Sequence, residues 1–285
     1  MAFPDPGSWV DPEVSSPEPW KTQGGIVKFM EFVVPIPEMS HRAFHLYWQK
    51  HHSPNVMNVT VFAQFMRKYN SGHRYPATVP HVPDRYLQDI PLQGAAEVWL
   101  NAIDKVGEWL GLPEYAGIIQ PDEPRFISQD GRVEVVITKE ERLFETDPDL
   151  QENGLTKVYL LTRREQGLDY DSFHSAASAF GRKILLYPNL LRHLRKLVIS
   201  HKLREPLPLE GFRMSEIDAV LELWFDDLTG VQRFFSEPDF ESQITRAESG
   251  VFDVSQLRAV VAKMRVVHDE FSFQPSTTQP LPFRW

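Results

Sequence analysis

Phe44-His45-Leu46-Tyr47-Trp48-Gln49-Lys50-His51-His52-Ser53-Pro54 is the densest cluster of aromatic and titratable side chains in the chain. Phe44, Trp48 and His52 fall at i, i+4 and i+8, so on a helix they form one stripe. Ser40 can cap that helix by accepting from an orphan N–H one turn on. Pro54 pushes Ser53 out of the α region and predicts a helix end just beyond His52. Two readings stand side by side. The stripe is either the edge of a core with a capping histidine, or the wall of a pocket with a reachable imidazole.

An echo of this stretch further along decides the fold. Phe44-His45 and Phe173-His174 lie 129 residues apart, as do Lys28 and Lys157. Arg67-Lys68 and Arg195-Lys196, like His73 and His201, lie 128 apart, and Trp99 and Trp224 lie 125 apart. A near-constant offset kept in order along the chain marks a duplicated unit. Within the first copy, residues 25–34 read as a strand ending at Pro35 and Pro37, and 62–69 as a second strand leading to Gly72-His73. Residues 95–100 make a third strand, 103–111 and 114–119 helical pieces, and 133–138, extended to 144, a fourth strand. The order is β-α-β-β-α-β, the ferredoxin-like split arrangement. In the second copy, strands fall at 155–164, 192–203, 217–225 and 257–267, with helices near 169–182 and 227–248. The fold class is therefore α+β, two ferredoxin-like units fused in one chain. Residues 1–23 and 271–285, rich in proline and aromatics, read as extended arms around units 24–150 and 151–270.

Composition narrows the function. The 285 residues are 42% hydrophobic and 24% charged, with a formal net charge of −9, which argues against nucleic acid as a partner. There are no cysteines, so disulfides, thiolate nucleophiles and Cys-ligated metals are excluded. No run approaches the roughly 20 apolar residues of a membrane helix, and no signal pattern opens the chain. A cytoplasmic protein is the expectation.

Phe44, Tyr47, Trp48, His52 and Pro54 together resemble the F-x-x-Y-W-x-x-x-H-x-P signature of EthD-domain proteins. Leu161-Thr162-Arg163-Arg164 through Phe173, Glu97-Val98-Trp99 and Glu222-Leu223-Trp224-Phe225 resemble other parts of the same domain. The resemblance covers about 240 residues by this reading. It implies a dimeric α+β barrel, here supplied by one chain, with the motif histidine at the wall of a pocket between sheet and helices. That histidine is His52. In the second copy the matching positions are Gly181 and, for Trp48, Ala177, so one site is expected, in the first unit.

Relatives of this architecture include cofactor-free decarboxylases, dehydratases, isomerases and oxygenases. The resemblance thus implies a lyase or isomerase acting on a small hydrophobic, aromatic or polyketide-like substrate, or a binding protein for such a molecule. Histidine suits proton transfer because its ordinary pKa of about 6.5 lies near neutrality. His52 and His73 are the candidate acid/base residues. Tyr47, Trp48, Phe29, Phe65, Tyr69 and Trp99 are candidate substrate contacts, with Phe62 and Trp109 as further wall residues. His45 and His51 read as exposed, and Asp104 and the pair Asp226-Asp227 as helix caps. No Walker loop, G-x-G-x-x-G, G-x-S-x-G or H-E-x-x-H occurs, and neither a metal, a haem nor another cofactor is expected. The aromatic-bearing arms are the expected contacts of a homodimer.

Overall fold

The computed structural model describes residues 18–271, apart from 23, 88–89, 131–132 and 205–213. Eight antiparallel strands close into a barrel in the order β1-β3-β2-β8-β5-β7-β6-β4. The first unit supplies β1 (Val27–Val33), β2 (Met66–Arg74), β3 (Gly94–Leu100) and β4 (Glu134–Glu145). The second supplies β5 (Thr156–Thr162), β6 (Lys196–Lys202), β7 (Ala219–Phe225) and β8 (Arg258–Asp269). Each half has the ferredoxin-like strand order, and β2·β8 and β4·β6 pairing seals the two together. Closure leaves no unpaired sheet edge, which gives the duplication a physical motive.

The helices lie outside. Ser40 caps α1 (His41–Tyr47) by accepting from Ala43 N at 3.3 Å. Pro54, however, does not end the helix. The chain widens into one π-turn, Trp48–His52, closed by Ser53 N to Trp48 O, and then continues as α2 (Ser53–Asn58). A proline ring clashes with the carbonyl four residues back, and the wider turn moves that carbonyl aside. The second strand also begins later than expected. Phe62 sits in a 3-10 turn, Thr60–Gln64, ahead of β2. Then come α3 (Asp104–Leu110), α4 (Tyr170–Ile184), α5 (Pro188–Leu191) and α6 (Leu228–Ser236). Asp227 caps α6 through Gly230 N at 3.0 Å, whereas Asp104 sits in the first turn of α3.

Strand alternation sends one set of side chains under the helices and the other into the barrel lumen. The lumen holds a ring of buried charge. Lys28 bonds Glu97 at 2.8 Å and Glu222 at 2.6 Å; Lys157 bonds Glu97 at 2.6 Å and also pairs with Glu222. Glu140 adds a third carboxylate to Lys28 at 2.9 Å. Further along the lumen, Glu152 bridges Lys68 and Lys196 at 2.7 and 2.8 Å. Lys28/Lys157, Glu97/Glu222 and Lys68/Lys196 are repeat partners, so the ring carries the pseudo-twofold symmetry of the two units. Trp99 belongs to this set. Its ring lies 4.7 Å from Lys28 Nζ and 5.3 Å from Lys68 Nζ, which corrects its assignment as a substrate contact.

The N-terminal arm is described only from Glu18, and the C-terminal one only at Phe271. Trp20 packs on its own chain, with its ring 4.4 Å from that of His201 and 5.5 Å from that of His174. It is therefore an intrachain contact and not the expected dimer contact; the remaining arm residues lie outside the described ones. No helix among the described residues is long and apolar enough to cross a membrane.

Removing one member of the ring strands the others. Lys157→Met should cost about 3–5 kcal/mol in chemical denaturation, because Glu97 and Glu222 then share Lys28 with Glu140. Burial alone would push Glu140 up, but Lys28 and Lys196 hold it down to about 2. A depressed carboxylate stabilises the fold above its unfolded pKa and loses that contribution as pH falls through the folded value. Stability should therefore fall as pH drops from about 4.5 to about 2, and denaturant midpoints across that window measure it.

Candidate functional site

The helix-facing side of the first unit's sheet carries a row of opposed residues across five strands: Val135, Glu31, Ala96, Ser71 and Arg265. Opposed residues point to the same face, so a carboxylate, a methyl and a hydroxyl share it with Arg265, whose Nη1 donates to the Gln49 carbonyl at 3.1 Å. With strands about 4.8 Å apart, Glu31 and Ser71 stand roughly 10 Å from each other across the small Ala96. The same row in the second unit is Ala259, Leu160, Leu221, Ile199 and Glu141. Its centre is three large aliphatic side chains. Among the described residues, the row has a low, polar centre under the first unit's helices and an aliphatic one under the second's.

Glu31 is the unusual member. It sits mid-strand in the helix-facing set that includes Phe29 and Val33. Burial, reinforced by the nearby Glu123 carboxylate, pushes Glu31 up to about 8. Burial pushes Glu123 up to about 7, against the hydrogen bond that Tyr115 Oη donates to it at 2.7 Å. The surrounding walls are apolar: Phe29, Phe62, Tyr69, Trp109 and Tyr115 belong to one buried cluster. Phe29 and Phe62 each meet the Trp109 ring at 5.8 Å in T-shaped contact, and Phe65 packs half-buried against the same cluster. Tyr69 Oη accepts from Trp48 Nε1 at 3.2 Å and lies 3.4 Å from Ser53 Oγ.

Trp48 stands above this floor because the sheet below it is cut back. Gly94, at φ +156°, lies under the indole; a Cβ there would come within 3.2 Å of Trp48 Cζ3 and collide with the Gly72 carbonyl. In the second unit Ala177 and Gly181 replace Trp48 and His52, and a Cβ on Gly181 would come within 2.8 Å of Ile199. There the helix lies directly on its sheet.

His52 is buried and bonds Asp122 through Nδ1 at 3.0 Å, while Tyr47 Oη donates to the other Asp122 oxygen at 2.6 Å. Burial lowers its pKa, against Asp122, and because the helix runs on past Pro54 no helix end is there to raise it. The neutral ring donates from Nδ1 and keeps its Nε2 lone pair. Adjacent acids on the 120–125 turn thus serve two purposes, Asp122 orienting His52 and Tyr47, Glu123 facing Tyr115 and Glu31.

His73 does not join His52 at a pocket mouth. It is buried, with Nδ1 at 2.8 Å from His45 Nδ1 and Nε2 at 3.1 Å from Ser71 Oγ. His45 is likewise buried, not exposed, because α1 turns it onto β2. His51 is exposed, as expected. Reasoning from sequence missed Glu31, Ser71, Tyr115, Asp122, Glu123 and Arg265. Glu31 had a usable signal, a lone acid among the apolar residues of a buried strand; Arg265 had none, since it reaches this face from the other unit's strand. Among the described residues, no group of three or more His, Asp or Glu converges as a metal site would. A surface cleft of about 440 Å³, lined by Trp20, Ile103, Tyr170 and Arg204 among others, involves none of the row.

These features define a dimeric α+β barrel closed within one chain, with a polar floor in one half. Residues 36–130, within the first unit, match the EthD domain family. No curated protein matches the sequence. Among solved structures, an anthrone oxidase-like protein aligns over 90% of this chain and 98% of its own, with a TM-score of 0.53 and 9% identity. A candidate monooxygenase from Lactobacillus acidophilus NCFM aligns over 87% and 97%, with a TM-score of 0.47 and 8% identity. Chlorite dismutase from Candidatus Nitrospira defluvii aligns over 88% and 95%, with a TM-score of 0.43 and 12% identity. At such identities the likeness is one of fold. The anthrone oxidase-like structure is named for an oxidation, not for a lyase or isomerase reaction, and the expectation of a lyase or isomerase is corrected accordingly.

The Glu31 carboxyl has a thermodynamic signature. A carboxyl raised in the folded state binds more protons than in the unfolded chain, so it lowers stability as pH rises from about 4.5 to about 8. Glu31→Gln should therefore raise Tm at pH 9 more than at pH 5, a difference that calorimetry at the two pH values measures.

Proposed function

We propose that the first unit is an oxidase or monooxygenase that deprotonates a small, flat aromatic carbon acid and passes the resulting electron-rich carbon to dioxygen. The observation that carries the reading is Glu31. It is a carboxylate pushed up to about 8 in an apolar setting, in one row with Ser71 and Arg265, where the second unit has Leu160. A base of that strength removes a proton from an activated C–H at near-neutral pH far better than an ordinary carboxylate. Arg265 and the Ser71 hydroxyl face the charge that develops on the substrate's conjugated oxygen, where preorganised donors act most strongly. Phe29, Phe65, Tyr69 and Trp48 supply the apolar and aromatic walls, and His52, held by Asp122, a neutral imidazole at the roof.

The chemistry balances: an activated methylene carbon and one molecule of dioxygen become a ketone and one molecule of water. Glu31 takes the first proton. The carbanion transfers its electrons to dioxygen in two single steps and forms a C–O bond, and the peroxide takes up a proton. Loss of the second C–H proton then breaks the O–O bond, leaving the ketone and water. The name of the anthrone oxidase-like structure supports this class of substrate.

Oxygen uptake with anthrone as probe tests the reading. The rate should rise with pH through about 8, as Glu31 ionises, and then level off. Glu31→Gln should lose about 10²–10⁴-fold, the usual worth of a positioned base. No oxygen uptake by the unaltered protein, or full turnover by the Gln variant, would reject it.

A further inference from the structure

The first unit contains a continuous chain of imidazoles leading from its half-buried rim to the polar floor. His41 Nε2 lies 2.8 Å from the Arg74 carbonyl oxygen and 3.0 Å from His45 Nε2. His45 Nδ1 lies 2.8 Å from His73 Nδ1, and His73 Nε2 lies 3.1 Å from Ser71 Oγ. A carbonyl oxygen only accepts, so His41 carries its hydrogen on Nε2. That hydrogen makes His45 Nε2 an acceptor, which puts the His45 hydrogen on Nδ1. His73 must then accept at Nδ1 and donate from Nε2 to Ser71. One backbone carbonyl, which shares the His41 hydrogen with His45, thereby sets every tautomer, and the His45 and His73 donors point inward, toward the hydroxyl that faces Glu31 across Ala96.

The second unit has the inner pair without the outer connection. His174 Nδ1 lies 2.9 Å from His201 Nδ1, and His201 Nε2 lies 3.0 Å from Glu141. The carboxylate fixes the same tautomers there. The position matching His41 is Tyr170, whose hydroxyl donates to the Lys202 carbonyl at 2.5 Å. His174 Nε2 is buried without a hydrogen-bond partner, and Trp20 covers the pair.

We propose that His41, His45, His73 and Ser71 form a proton conduit between the outside and the first unit's pocket, sealed off in the second unit by Tyr170 and Trp20. A proton added at His41 Nδ1 releases the Nε2 hydrogen to His45 Nε2. His45 passes its Nδ1 hydrogen to His73 Nδ1, His73 its Nε2 hydrogen to Ser71 Oγ, and Ser71 its own to a bound group. The net result is one proton moved inward, each ring gaining a hydrogen on one nitrogen as it gives one up from the other. A proton carried back outward restores the starting tautomers. Burial drives His45 down to about 2 and His73 to about 3, so both rings stay neutral and can both donate and accept. The inner end of the conduit rests on the pocket proposed above; the conduit itself does not.

Two-dimensional ¹H–¹⁵N spectra of the full-length protein labelled in its histidine rings read both the tautomers and the exchange of ring hydrogens with deuterated water, without substrate. His45 and His174 should both carry hydrogen on Nδ1, and the His45 hydrogen should exchange at least about tenfold faster than that of His174. His41→Phe should slow His45 to the His174 rate, and Trp20→Ala should speed His174, while backbone exchange at Phe44 and Phe173 stays unchanged. Hydrogen on Nε2 of His45, equal rates for the two rings, or no slowing in His41→Phe overturns the conduit. If His41→Phe fails to fold, the tautomers and the two rates in the unaltered protein decide, with Trp20→Ala as the gain-of-exchange check. These readings hold or fail whether or not anthrone is oxidised, so they separate the conduit from the activity.

Discussion

The lysine–glutamate ring in the lumen constrains everything else in this molecule. Lys28, Glu97, Lys157 and Glu222 come from β1, β3, β5 and β7, two from each unit, and each cation bonds carboxylates of both units. Separated, either half would hold buried charge with half its partners lost, an arrangement that costs several kcal/mol per ion. The two ferredoxin-like units are therefore one cooperative barrel. Because the lumen is committed to charge and to the Trp99 and Trp224 rings over it, any hollow for an apolar molecule must lie on the other face of the sheet, beneath the helices.

Beneath the helices the two units have taken complementary solutions to the same volume. The second has a high floor, Leu160, Leu221 and Ile199, and a thin roof, Ala177 and Gly181. The first has a low floor, Glu31, Ala96 and Ser71, and a thick roof, Trp48 and His52. Close packing demands some such trade, since interiors leave few voids. What packing does not demand is a carboxyl in the low floor. Leaving Glu31 in an apolar setting beside Glu123 works against stability at neutral pH, a local conflict of the kind found where a protein keeps a group for its chemistry. Arg265 makes the site depend on closure, for it comes from the second unit's β8 into the first unit's face.

Much of this was legible from residues alone. The 125–129 offsets follow Lys28, Phe44, His45, Lys68, His73 and Trp99 through both copies. These are the lumen ring, the buried histidine pair and the helix stripe, positions that a barrel with internal symmetry repeats because both halves meet the same neighbours. Strand and helix order came through for the same reason, since alternation and capping are local. Pro54 was misleading because its helix-breaking effect is also local, and a one-residue widening of the turn, stabilised by packing of Trp48 and His52, absorbs it.

The amino-acid sequence by itself determined the duplication, the βαββαβ order and the loss of the motif at Ala177 and Gly181, all properties of spacing and residue type along one chain. Only the tertiary structure decided which face each side chain occupies relative to the other unit. A one-residue change of strand phase exchanges lumen for helix side, and no local pattern in 66–74 or 94–100 distinguishes the two when both faces are buried. That is why Trp99 turned out to stand over lysines, why His45 met His73 instead of water, and why Glu31, Ser71 and Arg265 form one row. Their proximity is a product of strand register across three strands and a barrel seam, and register is set by how the whole sheet closes.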